Sequence, residues 1–418
     1  MGTTEFISAE QVKISLANTP QVTFEVTEKC NLTCEYCGYG ELYCDYDIRE
    51  NKDMDVDVAI KLLDYLVALW NSPLSQSVNN NVYISFYGGE PLINFSFIEA
   101  VTSYVKTIKD NKRKITYSMT TNAILLDKYM DFLIQNDFEL LISLDGDKYG
   151  NSYRINKSGK NSFDDIIKNI NRLKERYPDY FTNHVNFNAV LHNRNSVSKT
   201  YDFIHSRYNK KPSIHSLNDM GIREDMKEKF MQMYQNTEES LMDSENYSEL
   251  ENQMFLSSPT YSSATIFLMQ NSEFKYENYN ELLFGKLEKE SLYPSGTCMP
   301  FGKKVFVTVN GKILPCERTA HQFALGSVDK TGVNLDFEEI AAKYNAYFEK
   351  INPLCQKCHT ARMCIQCIFN LPDITQSKCG CHGFMNKEMF GNFKNSQLSF
   401  FARHPEAYNK IMQEVIYR

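Results

Sequence analysis

The stretch CNLTCEYC places Cys30, Cys34 and Cys37 in a C-x3-C-x2-C pattern, and three thiols this close mark a metal or redox centre. A tetrahedral zinc site wants four ligands, and the nearest further donors are Cys44 and the acids Glu35 and Glu41. A ferredoxin would instead show a C-x2-C-x2-C run with a fourth cysteine elsewhere. The pattern best fits an iron-sulfur cluster held by three thiolates, with one iron left open. A second group follows as Cys298-x12-Gly311-x4-Cys316, then Cys355-x2-Cys358-x5-Cys364-x2-Cys367, then Cys379-Gly-Cys381. By itself a pair of C-x2-C units suggests zinc. The remaining chemistry lies in FYGGEPLI, where Gly88 and Gly89 offer bare backbone for close approach of a ligand and Glu90 offers a carboxylate for an ammonium.

Positioning such groups requires a scaffold. Between residues 22 and 217, short β-rich apolar runs alternate with amphipathic ones. The expected strands are 22–27, 81–87, 114–120, 139–145, 184–191 and 212–217, and the expected helices are 54–70, 97–110, 162–177 and 198–208, whose apolar residues recur near a 3.6 period. Strand and helix in alternation imply a parallel sheet with right-handed crossovers. Six units are too few for a closed eight-stranded barrel, so a partial (β/α)6 barrel and a doubly wound sheet both fit. Either would put the loop carrying Cys30 at the carboxyl end of the first strand, where α/β proteins bind ligands.

Residues 218–296 read as a charged, Met-rich helical bridge. A cysteine-rich second domain is expected over 297–383, around the hairpin KKVFVTVNGKILPC with its Asn310-Gly311 turn. A helical, aromatic tail over 384–418 would complete the chain. In this division, residues 1–217 are the first domain.

With 45 basic and 52 acidic residues, the net charge is -7 and no basic face argues for nucleic acid. No secretory signal or myristoylation pattern opens the sequence. The longest uncharged stretch, Asn252 to Ser272, is too polar to cross a bilayer. Twelve cysteines in 418 residues fall far below the ~8–10% of a disulfide scaffold, and their clustering points to metal in a reducing cytoplasm.

CNLTCEYC followed by FYGGEPLI resembles the radical S-adenosylmethionine (SAM) enzymes. The resemblance implies a partial (β/α)6 TIM-type barrel in which Cys30, Cys34 and Cys37 hold a [4Fe-4S] cluster, and SAM's amino and carboxylate groups complete the open iron. Tyr36 matches the aromatic position whose backbone lies beside the adenine, and Gly88, Gly89 and Glu90 match the turn that cradles SAM's amine. Thr121 and Asn122 resemble the family's Thr-Asn-Gly, although Ala123 replaces the glycine. Ser143 corresponds to a ribose contact, Arg154 to a residue near SAM's carboxylate, and Leu191 to one that packs the adenine.

The later cysteines resemble the SPASM extension of peptide-modifying members, which carries two auxiliary [4Fe-4S] clusters, making three in all. The chain departs from that pattern in having x2 between Cys364 and Cys367 where the family has x3. Carried over, Cys298, Cys316 and Cys367 would ligate the first auxiliary cluster. Cys355, Cys358, Cys364 and one of Cys379 or Cys381 would ligate the second, with Cys44 left over. Glu317, next to Cys316, matches a proposed general base. The implied activity is oxidation of a ribosomally made precursor peptide to a carbon-carbon or thioether crosslink through a 5'-deoxyadenosyl radical. Formylglycine formation on a sulfatase is the second expectation, and an inactive or zinc-binding peptide scaffold the third. Expected partners are a precursor peptide with its leader and an electron donor such as flavodoxin or ferredoxin. Because 29 residues precede Cys30, the leader is expected to dock along a strand edge or on the 218–296 bridge.

Overall fold

Each of the six apolar runs forms a strand: β1 (Gln21–Thr27), β2 (Asn81–Gly88), β3 (Lys114–Thr121), β4 (Glu139–Ser143), β5 (Val185–Leu191) and β6 (Ser213–Ser216). The computed structural model describes residues 6–76, 81–108, 113–271, 294–361, 364–376 and 379–416. All six strands are parallel, and each pairs with the next in chain order. A doubly wound sheet must reverse its strand order at a switch point, and this one does not. The sheet is therefore the singly wound, open (β/α)6 arrangement.

The crossovers are built by helices whose sequences carry their own signals. Val56–Trp70 starts at Asp55, whose side chain accepts a hydrogen bond from the Asp57 amide at 2.9 Å, and it buries Leu62, Leu63, Leu66 and Trp70. Phe163–Arg176 has Asp164 and Asp165 in its first turn and Lys174 and Arg176 in its last, each complementing the helix dipole. Phe95–Thr107, Leu126–Gln135 and Val197–Tyr208 fill the other crossovers. Leu126–Gln135 lies outside the expected helical ranges, as does the short helix Pro178–His184, whose proline sits at the first turn, where a missing N–H is harmless.

The division of the chain differs from the expected one. Residues 9–244 and 299–340 form one compact unit: a division falls after Cys298, close to the expected 297, but residues 299–340 join the barrel unit, and no division falls at 217. The reason is strand pairing. β7 (Val305–Val307) adds to the outer edge of β1 in parallel, Val22 opposite Val305 and Phe24 opposite Val307. β8 (Lys312–Leu314), β9 (Gly326–Asp329) and β10 (Gly332–Asn334) continue the sheet antiparallel. The hairpin expected in a separate domain thus extends the barrel sheet to ten strands in the order β10-β9-β8-β7-β1-β2-β3-β4-β5-β6. Its turn is formed as expected, with Gly311 at φ +76 and its amide on the Thr308 carbonyl at 2.8 Å.

The other unit contains the helices Tyr247–Met254 and Pro259–Asn271, the cysteine-rich loops, and the tail helices Lys387–Arg403 and Pro405–Ile411. Tyr261, Ala264, Phe400, Ala407 and Ile411 form its core. Of the expected 218–296 bridge, Lys227–Met233 and Thr237–Met242 belong to the barrel unit, and residues 272–293 lie outside the described residues. Among the described residues, no helix is long and apolar enough to cross a membrane.

Candidate functional site

The loop leaving β1 carries Cys30, Cys34 and Cys37, all half-buried. Its start is pinned by Glu28, whose carboxylate accepts hydrogen bonds from the amides of Glu50 and Lys52 at 2.7 and 2.9 Å. Its middle lies against the segment after β4: the Thr33 amide donates to the Ile155 carbonyl at 2.8 Å, and the Glu35 amide to that of Tyr153 at 3.2 Å. Burial pushes the Cys30 thiol up to about 11 and the Cys34 thiol up to about 12, and a charge on Cys37 adds to both. Thiolates held here need a compensating cation.

β2 ends on the glycine pair, and the packing around the pair leaves no room for side chains. A Cβ on Gly88, whose φ is +128, would meet the Thr27 carbonyl oxygen at 2.5 Å, and one on Gly89 would meet that of Lys29 at 2.2 Å. The bare backbone is needed to pack against the cysteine loop itself. The Gly89 and Glu90 amides donate to the carbonyls of Thr27 and Lys29 at 2.8 and 2.9 Å. Glu90 is fully buried, and its carboxylate accepts from the Thr121 hydroxyl and the Leu92 amide on Oε1 and from the Asn122 amide on Oε2. Burial raises its pKa to about 7, against the lowering effect of those donors. The Asn122 side chain bridges back to the loop, donating to Asn31 Oδ1 at 2.7 Å. Glu90 thus ties the ends of β2 and β3 together, with the cysteine loop against both. Ala123, where the resemblance would have glycine, sits at φ +62 and is fully buried.

Beyond β4, Ser143 donates to Asn188 Oδ1 at 3.1 Å, and Leu191 is fully buried at the end of β5. Arg154 does not stand alone: its Nε and Nη2 fork onto Asp145 at 2.9 and 3.1 Å, both side chains being buried. The Tyr36 hydroxyl also donates to Asp145 Oδ2. The Tyr36 ring stacks on His192 at 5.4 Å and meets Tyr153 edge-on at 6.3 Å. Burial alone would raise the Asp145 carboxyl, but the Arg154 guanidinium overrides it and holds the pKa at about 2. Sequence reasoning singled out Tyr36 and Arg154 but missed Asp145 and His192. The only signal was the position of Asp145 at the end of the expected fourth strand, 139–145.

In the other unit, Cys355, Cys358, Cys364 and Cys381 face one another. Burial first, then the charges of the other three, push the Cys355 thiol up to about 11, and Cys381 is raised by burial and by Cys364 and Cys358. Cys379 turns aside, its thiol 3.9 Å from the Lys350 carbonyl. Cys298 and Cys367 are brought near each other by the Gly296 amide on the Gln366 carbonyl and the Ile368 amide on the Thr297 hydroxyl. Cys316 belongs to the barrel unit, as does Glu317. The Glu317 carboxylate pairs with Lys304 at 2.9 and 3.0 Å and accepts from the Cys316 thiol at 3.3 Å. Burial would raise its pKa, but Lys304 lowers it below the usual range. Lys304 and Glu317 line a cavity of about 270 Å³ with Tyr87 and the polar rung Thr23, Ser85, Ser118 and Glu139.

Residues 24–204 match the model of the Radical SAM superfamily. This stretch is a radical SAM domain. Its sequence is 30% identical over 181 residues to the cysteine-type anaerobic sulfatase-maturating enzyme of Clostridium novyi, covering 42% of this chain and 45% of that protein. It is 26% identical over 212 residues to the radical SAM cyclopropyl synthase TigE of Paramaledivibacter caminithermalis, covering 49% and 41%. The chain thus spans under half the length of these two relatives. The fold is similar to that of native anSMEcpe, solved with bound AdoMet and Kp18Cys peptide: TM-score 0.58, 16% identity, covering 94% of this chain and 98% of that one.

The donors of the radical SAM domain fit a cluster with SAM. Three thiols share one loop, and a four-iron cluster takes each thiolate on a separate iron. Among the described residues, no group of three or more His, Cys, Asp or Glu side chains is arranged around a single-ion position. Around the loop, Glu90 Oε2 keeps an acceptor position, and Nη1 of Arg154 is the guanidinium nitrogen outside the fork.

Proposed function

We propose that the protein is a radical SAM maturase that oxidises a residue of a peptide or protein substrate. The observation that carries this reading is the meeting, at one sheet end, of the three-cysteine loop with the Gly88–Glu90 turn and the buried Tyr36–Asp145–Arg154 group. Cys355, Cys358, Cys364 and Cys381 support an auxiliary [4Fe-4S] cluster of the SPASM type. A second auxiliary cluster, on the cysteines that the resemblance assigns to it, makes three with that on Cys30, Cys34 and Cys37. When bound, the first cluster and SAM would supply a hydrogen-abstracting radical.

The chain's own residues bind, orient and move a proton. Glu90 would hold SAM's ammonium and Arg154 its carboxylate, with Thr121, Asn122 and Ser143 lining the approach. Tyr36 and Leu191 would enclose the adenine and exclude water. Glu317 takes the substrate proton on its carboxylate, which Lys304 keeps ionised and aimed into the barrel cavity.

The product assigned here is a carbon-carbon or thioether crosslink in a ribosomally made precursor, with a ferredoxin or flavodoxin as electron donor. Formylglycine is the second reading, favoured by the similarity to a sulfatase-maturating enzyme. Coexpression with a short neighbouring precursor should give a peptide lighter by two hydrogens per event and without an aldehyde. Capture of the product by a hydrazine reagent would favour formylglycine. The reduced, reconstituted protein should release 5'-deoxyadenosine from SAM, and release by Cys34→Ala at the original rate would sink the assignment.

A further inference from the structure

Asp145 gathers more of the site than any residue the reading above employs. Four segments meet on its carboxylate: the cysteine loop through the Tyr36 hydroxyl, the segment after β4 through the Arg154 fork, β5 through the Val190 amide at 2.9 Å, and the following turn through His192, whose Nε2 lies 3.8 Å away. The backbone of Asp145 is fixed as well, its carbonyl accepting from Asn195 Nδ2 at 2.9 Å and the Thr200 hydroxyl at 3.2 Å. His192 is fully buried. Its Nδ1 accepts from the Arg194 amide at 3.2 Å, which leaves the proton on Nε2, facing Asp145 without a hydrogen bond.

A buried ion pair loses so much solvation that an apolar pair of the same volume is often as stable, so stability alone does not account for this cluster. Its partners suggest another reason. Tyr36 lies between Cys34 and Cys37, so the atom that captures its hydroxyl sets where the peptide joining the two thiols runs. The same carboxylate uses two nitrogens of Arg154 and thereby fixes where Nη1 points.

We propose that Asp145 is a positioning residue for the cluster loop. It holds Tyr36 and orients Arg154 so that the open iron and the nitrogen meant for SAM's carboxylate keep their geometry, and it touches neither cluster nor SAM. The proposal rests on the radical SAM reading.

The test uses the full chain, reconstituted anaerobically, with iron and sulfide content, SAM affinity, and the electron paramagnetic resonance of the reduced protein with and without SAM. Tyr36→Phe removes one hydroxyl and should load iron normally, yet bind SAM about fivefold more weakly and show an altered SAM-induced spectral change. Asp145→Asn strands the buried Arg154 charge and destabilises the fold, so the double variant Asp145→Asn with Arg154→Gln accompanies it. That variant should fold and load iron, with SAM binding weakened about tenfold or more. Wild-type SAM affinity and spectra in both Tyr36→Phe and the double variant would overturn the proposal while leaving the radical SAM reading intact. A wild-type protein that loads iron but whose spectrum ignores SAM would overturn both.

Discussion

Glu90 and Asp145 are carboxylates beyond the ends of β2 and β4, both buried, and their surroundings drive them in opposite directions. Burial lifts Glu90 from the ordinary 4.5 to about 7 because its partners are neutral donors, whereas Arg154 holds Asp145 at about 2. The folded state therefore keeps a proton on Glu90 that the unfolded chain releases. The stability this proton supplies is complete below pH 4.5 and disappears as pH rises through 7, about 3 kcal/mol in all. Denaturant unfolding of the cofactor-free protein should show this fall between pH 4.5 and 7, and Glu90→Gln should flatten it. Asp145 acts in the opposite sense, its contribution present above the ordinary 3.8 and lost as pH falls through 2. Among the later cysteines, Cys381→Ala should remove about four irons per chain from the reconstituted protein, one cluster's worth. Cys379→Ala should leave that cluster in place, since its thiol faces the Lys350 carbonyl.

At the scale of elements, the decisive contact is between the end of β2 and the loop leaving β1. Gly89→Ala puts a methyl 2.2 Å from the Lys29 carbonyl oxygen, and since neither backbone can yield, the variant should lose about 1–3 kcal/mol. Its iron content should fall as well, because Lys29 directly precedes Cys30; full iron loading with wild-type unfolding would contradict the packing role. The cysteine motif and GGEP were legible in the sequence because ligand spacing and glycine pairs are local. The Asp145 hub was not, because its neighbours come from residues 36, 154, 190 and 192 and only the folded sheet brings them together. The choice between Cys379 and Cys381 was equally hidden: spacing places both in one loop, and only the turn of the chain sends one thiol toward its fellow cysteines.

At the scale of the molecule, the six strands and their parallel order were readable from periodicity, but the partner of β7 was not. Pairing between Phe24 and Val307 joins distant parts of the chain, and hydrophobic patterning says that a strand exists without saying where it goes. Phe306 is fully buried opposite Thr23 and meets Tyr87 edge-on at 6.2 Å. Phe306→Ala should cost about 3–5 kcal/mol, and hydrogen exchange should quicken in β1 and β2, not only in the hairpin. Exchange confined to residues 303–316 would mean that the hairpin is energetically separate from the barrel.

The β1–β7 pairing also sets a timetable for the newly made chain. Val22 leaves the ribosome long before its partner Val305, which comes only after all six barrel strands have been made. Until then, one edge of β1 has no neighbour, and closing so long a loop is slow. The cysteine loop hangs from that same strand, so a cluster inserted during synthesis would enter a sheet whose first strand is half-paired. Metal loading is therefore expected to follow release of the chain, and a chain stalled before residue 305 should take up iron poorly even though it already holds Cys30, Cys34 and Cys37.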